Sequence, residues 1–151
     1  MGNAASSPVI NDISTNVDNP PKFTKSTHPD HLSDALKEAI RKHYSDLQSL
    51  VIPLSKVESS QAIIDATKQA ATGTHPRIQV VFSTDATAEL LDVTALCRFK
   101  DDVSIRVEKD TSSGDYILDI RSASRVGKGD LGTNANRIRS IISALKSQLQ
   151  L

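Results

Sequence analysis

The sequence predicts an α+β domain: an antiparallel four-stranded meander with helices packed on one face and a C-terminal helix after the last strand. Two observations carry this. Apolar residues recur at three-and-four spacing in three separate stretches, and between Arg77 and Ser124 the period switches to two.

Taken in order, residues 1–27 scatter Val9, Ile10, Ile13, Val17 and Phe23 among Asn, Asp, Ser, Thr and Pro with no period. This segment is expected to be a disordered tail ahead of one domain over 28–151. Leu32, Ala35, Leu36, Ala39, Ile40, His43 and Leu47 then define one helical face, predicting a helix near 30–48. A weaker stripe through Ile63, Thr67, Ala70 and Ala71 predicts a second helix near 57–71, stopped by Gly73 and Pro76. Four strands follow, read from alternation over 78–82, 91–99, 103–107 and 116–120, with polar connections at 83–88, 100–102 and 109–115. The last connection contains Ser113-Gly114-Asp115, which is hairpin chemistry. Ile138, Ile141, Ile142, Leu145 and Leu149 define a final helix, with Thr133 or Asn134 as its N-cap. Alternation places Arg98, Arg106, Asp119, Arg121 and Arg125 opposite the apolar strand set, and predicts a cross-strand ion pair between Arg106 and Asp119.

Charge and composition narrow the function. The chain of 151 residues carries 18 Lys+Arg against 18 Asp+Glu, so it lacks the broad positive field that gathers nucleic acid. Apolar runs such as Leu50-Val51-Ile52 are too short to cross a bilayer as a helix or to serve as a secretion signal. An organelle transit peptide is disfavoured, because the first Arg is Arg41 and several Asp precede it. One cysteine and no Asn-x-Ser/Thr sequon fit a reducing, cytoplasmic setting.

No catalytic, metal or cofactor site is expected. His28 and His31 stand three apart without a Cys or carboxylate cluster, and His43 on its apolar stripe reads as a half-buried structural residue. Cys97 reads as a small inward-facing core residue, and Asp101-Asp102 as a solvated turn.

Gly127-Lys128-Gly129-Asp130-Leu131-Gly132 matches G-x-G-x-x-G, but no later strand completes a βαβ unit and Asp130 would repel a pyrophosphate. A tight strand-to-helix turn explains the glycines better. The longer stretch Arg121-Ser122-Ala123-Ser124-Arg125-Val126-Gly127-Lys128-Gly129-Asp130-Leu131-Gly132-Thr133-Asn134, followed by Arg137, closely resembles the C-terminal signature of the domain of unknown function 1499 family. The resemblance covers about 55–151 and implies no activity or substrate. Within it, Arg121, Arg125, Asn134 and Arg137 supply guanidinium and amide donors for a carboxylate or phosphate, so an anion pocket is one expectation. The alternative is that these arginines satisfy Asp119 and Asp130 and pin the turn to the sheet.

The N-terminus offers the clearest functional signal. Met1-Gly2-Asn3-Ala4-Ala5-Ser6 satisfies the pattern for N-myristoylation at Gly2. One myristoyl chain gives binding of only about 10⁴ M⁻¹, the tail is not polybasic and no cysteine lies beside Gly2, so association is expected to be reversible. Arg137, Arg139 and Lys146 give the final helix a basic character suited to anionic lipid. The leading reading is a non-enzymatic, lipid-anchored binding module at a cytoplasmic membrane surface, with a small anion or a protein as partner. A soluble small-ligand carrier without the anchor is the first alternative, and an enzyme gripping an anionic substrate with Asp130 as base is the second.

Overall fold

A computed structural model describes residues 10–126 and 132–151. Gly2 of the lipidation motif and Gly127, Gly129 and Asp130 of the signature lie outside the described residues. Elements run β1 (Asp12–Ser14), α1 (Asp34–His43), β2 (Leu50–Ile52), α2 (Ser60–Thr74), β3 (Gln79–Ser83), β4 (Thr87–Val93), β5 (Lys100–Lys109), β6 (Tyr116–Ser124) and α3 (Thr133–Leu149). Six strands form one antiparallel sheet in the order β1-β6-β5-β4-β3, and β2 lies beside β1 along the same edge of β6. The β3–β6 meander and the terminal helix follow the sequence pattern; β1 and β2 are additions to the four expected strands. Both are three residues long and held by β6, so neither carries enough alternation to be read alone.

One face of the sheet presents Ile13, Leu90, Val103, Ile105, Leu118 and Ile120, all buried, to α2 and α3. Ile63, Ala70 and Ala71 of α2 and Ile138, Ile141 and Leu145 of α3 complete this core. Ser33 caps α1 and Ser59 caps α2 by accepting from the amides of Leu36 and Ala62. The third helix differs from expectation. Its N-cap is Gly132 at φ 83°, a left-handed conformation that favours glycine, while Asn134 turns inward to accept from Ser122 Oγ at 2.6 Å.

The other face is charged, as expected, but it is not solvated. Residues 15–31 cross it as a strap. Thr15 donates to Asp119, Ser104 Oγ donates to the Lys22 carbonyl at 2.7 Å, and the amides of Thr24 and Lys25 donate to Glu89. Ile10, Ile13 and Phe23 are buried. Residues 10–27 are therefore part of the fold rather than a disordered tail: their polar atoms satisfy buried charges of the sheet, a role that apolar periodicity does not report.

The second predicted strand is also corrected. It ends at Val93, and Thr94 to Phe99 form a turn closed by Thr94 N–H to the Phe99 carbonyl at 2.8 Å and Arg98 N–H to the Thr94 carbonyl at 3.0 Å. Arg98 sits at φ 52° in that turn, not on a strand face, and Cys97 is exposed rather than inward. The inward parity of β4 is carried by Ala88, Leu90 and Asp92, one residue out of step with the alternation through Leu91 and Val93. Asp101 and Asp102 open β5 as buried residues rather than forming a solvated turn, and His43 is exposed.

A chain reduced to 28–151 is expected to lose cooperative unfolding, because it lacks Ile10, Asp12, Ile13 and Phe23. In the full chain Ile13→Ala is expected to cost about 2–5 kcal/mol. Urea denaturation followed by far-UV circular dichroism reads both.

Candidate functional site

Strand alternation divides the signature residues between the two sheet faces. Arg121 and Arg125 face the strap; Ser122 and Ser124 face α3, where Asn134 and Arg137 meet them. The four residues expected to share one anion pocket thus form two separate systems.

On the strap side Arg121 is fully buried. Its Nε and Nη2 grip both oxygens of Asp12 at 2.9 and 2.7 Å, Nη1 and Nη2 reach the carbonyls of Pro21 and Pro29, and the Phe23 ring lies 4.9 Å from the guanidinium carbon. Beside it Arg125 makes two 2.9 Å bonds to Asp102, which also meets His28 Nε2 at 2.8 Å. Burial alone would raise the Asp102 carboxyl, but the bonds from His28 and Arg125 outweigh it and bring the pKa to about 2. The Arg106–Asp119 pair expected from alternation is present at 3.1 Å, with Thr15 and Ser49 also donating to Asp119.

On the helix side Arg137 is almost wholly buried. Nε bonds Asp92 at 3.0 Å, Nη2 bonds Asp101 at 2.8 Å, and Nη1 bonds Ser122 Oγ and Asn134 Oδ1 at 3.0 and 2.8 Å. Two carboxylates thus share one guanidinium. The pair Asp92–Arg137 forms the wall of a cleft of about 410 Å³ between the end of α2, the end of β4 and the start of α3. His75, Arg77, Thr94 and Asn136 also line it. Burial pushes His75 down from the ordinary imidazole range, against an opposing pull from the Asp92 carboxylate. Arg77 is exposed and makes no ion pair among the described residues.

Sequence reasoning singled out the arginines and missed their carboxylates Asp12, Asp92, Asp101 and Asp102. A signal existed for Asp101, which shares the parity of Val103, Ile105 and Val107, and for Arg137, which shares the helical stripe of Ile138, Ile141 and Leu145. His28 and His31 border a second hollow of about 520 Å³ on the strap side. No group of three or more metal-ligating side chains occurs among the described residues.

These features define an α+β domain in which one antiparallel sheet lies between a helical layer and an N-terminal strap, with buried ion clusters on both faces. The chain belongs to the family described as protein of unknown function (DUF1499), whose model matches residues 12–145. The match begins at Asp12, the partner of Arg121, and so takes in the strap and α1 as well as the stretch from about 55 onward. No curated protein matches the chain.

Arg137→Met is expected to cost about 3–5 kcal/mol, because it leaves Asp92 and Asp101 buried without their cation. Adding Asp101→Asn should restore part of that loss in denaturant titrations. Asp102 contributes stability that is complete above its unfolded pKa of 3.8 and lost as pH falls through about 2, an effect of about 2 kcal/mol. Asp102→Asn should flatten this part of the acid-unfolding curve.

Proposed function

We propose that this chain is an N-myristoylated, reversibly membrane-associated binding module at a cytoplasmic membrane surface, and that its ligand site is the cleft beside Arg137. The observation that carries the anchor is the Met1-Gly2-Asn3-Ala4-Ala5-Ser6 pattern, which lies close in sequence to the folded domain. Buried Ile10 follows Gly2 by eight positions, and eight residues reach at most about 28 Å when fully extended. An acyl chain on Gly2 would hold the domain against the lipid surface rather than at the end of a long tether. A single myristoyl chain supplies only about 10⁴ M⁻¹, which suits reversible association.

The cleft supports the binding part of the reading. Its volume suits a small ligand, and its walls combine the exposed Arg77 with the imidazole of His75 and the amide of Asn136. A carboxylate or phosphate is the ligand class this favours. Arg121, Arg125 and Arg137 act as internal counterions in this reading, so the expected anion site moves from the signature arginines to Arg77. The cleft by itself equally suits a soluble small-ligand carrier, which the absence of an acyl group would favour.

Intact mass and membrane partition, measured together on wild type and Gly2→Ala from the same cells, test the anchor. The expected result is a myristoyl mass on wild type and a shift of Gly2→Ala to the soluble fraction. An unmodified, wholly soluble wild type would overturn it. Calorimetric titration with inorganic phosphate and acetate tests the cleft, with at least tenfold weaker binding expected for Arg77→Ala and none expected to change in Gly2→Ala.

A further inference from the structure

We infer that the turn between β4 and β5 is a second membrane contact, which places Leu96 and Phe99 in the interfacial layer of an anionic leaflet. The inference rests on the membrane reading above and names the surface of the domain that meets the lipid. Leu96 is 94% exposed, by far the most exposed large apolar side chain among the described residues, and Phe99 is 48% exposed. Scattered surface hydrophobes are ordinary; these two stand on a built turn. Thr94 closes it three times, donating its N–H to the Phe99 carbonyl, accepting the Arg98 N–H on its carbonyl, and accepting the Phe99 N–H on Oγ1 at 2.9 Å. The turn therefore holds Leu96 outward, where it adds nothing to the core.

Charge matches the same surface. Arg98 and Lys100 flank Phe99, both are exposed, and neither makes an ion pair among the described residues. No acidic residue lies between Val93 and Lys100, and the next two, Asp101 and Asp102, are buried against Arg137 and Arg125. The outward field of the turn is positive, which suits anionic lipid at about fivefold in affinity per cation.

Lys100 pairs with Val93 across the hairpin, its carbonyl accepts the Arg125 N–H at 3.0 Å, and the Ser124 N–H reaches the Asn11 carbonyl at 2.8 Å. The turn, exposed Val126 and the point where the chain leaves β1 toward its N-terminus thus share one end of the sheet. An acyl chain on Gly2 and the Leu96 turn can meet one membrane together, so the turn would add to the weak, reversible hold of a single chain. The opposite end of the sheet also exposes Val51 and Leu54, but there Asp110 and Asp115 are interleaved with Lys56 and Lys109, so that end lacks the uniformly positive charge of the Leu96 turn.

The chain contains no tryptophan, so Leu96→Trp and Leu54→Trp each introduce a single emission reporter at one end of the sheet. Each is made in the full-length protein, with and without enzymatic acylation, and mixed with vesicles of phosphatidylcholine alone or with about a third phosphatidylserine. The expected result is a blue shift for Leu96→Trp on the anionic vesicles and none for Leu54→Trp. Unlabelled Leu96→Ser/Phe99→Ser should sediment with anionic vesicles at least tenfold more weakly than wild type at an unchanged thermal midpoint. Arg98→Gln/Lys100→Gln should weaken binding on anionic vesicles only. An acylated protein that binds vesicles while both reporters stay in water would overturn the turn contact and leave the lipid anchor standing. If Gly2 proves unmodified in cells, the unacylated protein at raised lipid decides: a shift of Leu96→Trp alone supports the turn, and no shift overturns it.

Discussion

A guanidinium buried from all solvent must be matched bond for bond by the protein, and Arg121 imposes that condition on the whole strap side of the sheet. Its fork takes both oxygens of Asp12, which puts β1 on the edge of β6. Its remaining donors take carbonyls from Pro21 and Pro29, which fixes both limbs of the strap. Phe23 covers the cation and also meets the His28 ring, 4.6 Å between centroids, so the apolar and polar parts of the strap close over the same point. Removing any one of these partners leaves the others around a charge that water cannot reach.

Arg137 solves the same problem on the other face with the opposite balance. It serves Asp92 from β4, Asp101 from β5 and the Ser122–Asn134 pair from β6 and α3, so four elements converge on one side chain. The start of α3 is positioned by polar bonds, the rest by Ile138, Ile141 and Leu145. The cleft lies where this polar end meets the end of α2, which explains why its walls are ionic while the core a turn away is aliphatic.

The legible part of the sequence was the part organised by apolar periodicity. The three helices, the order of the meander and the Arg106–Asp119 pair all follow from it. Alternation faltered at β4, because Leu90 and Leu91 point to opposite faces that are both covered, so apolar residues fill both parities. It was silent on residues 10–27, whose hold on the sheet is made of carbonyls, amides and carboxylates. The candidate anion site failed for a related reason. Arginines on paper are donors without partners; Asp12 and Asp92 lie 109 and 45 positions away from the arginines they neutralise, beyond the reach of any local pattern.

That separation of 109 positions between Asp12 and Arg121 also sets an order of events during synthesis. The segment carrying Asp12 is made first, but its Arg121 partner on β6 leaves the ribosome only near the end of the chain. Through most of translation the segment from Ile10 onward lacks its partner strand β6. Docking this segment closes the 109-position loop between Asp12 and Arg121, a costly long-range step of folding.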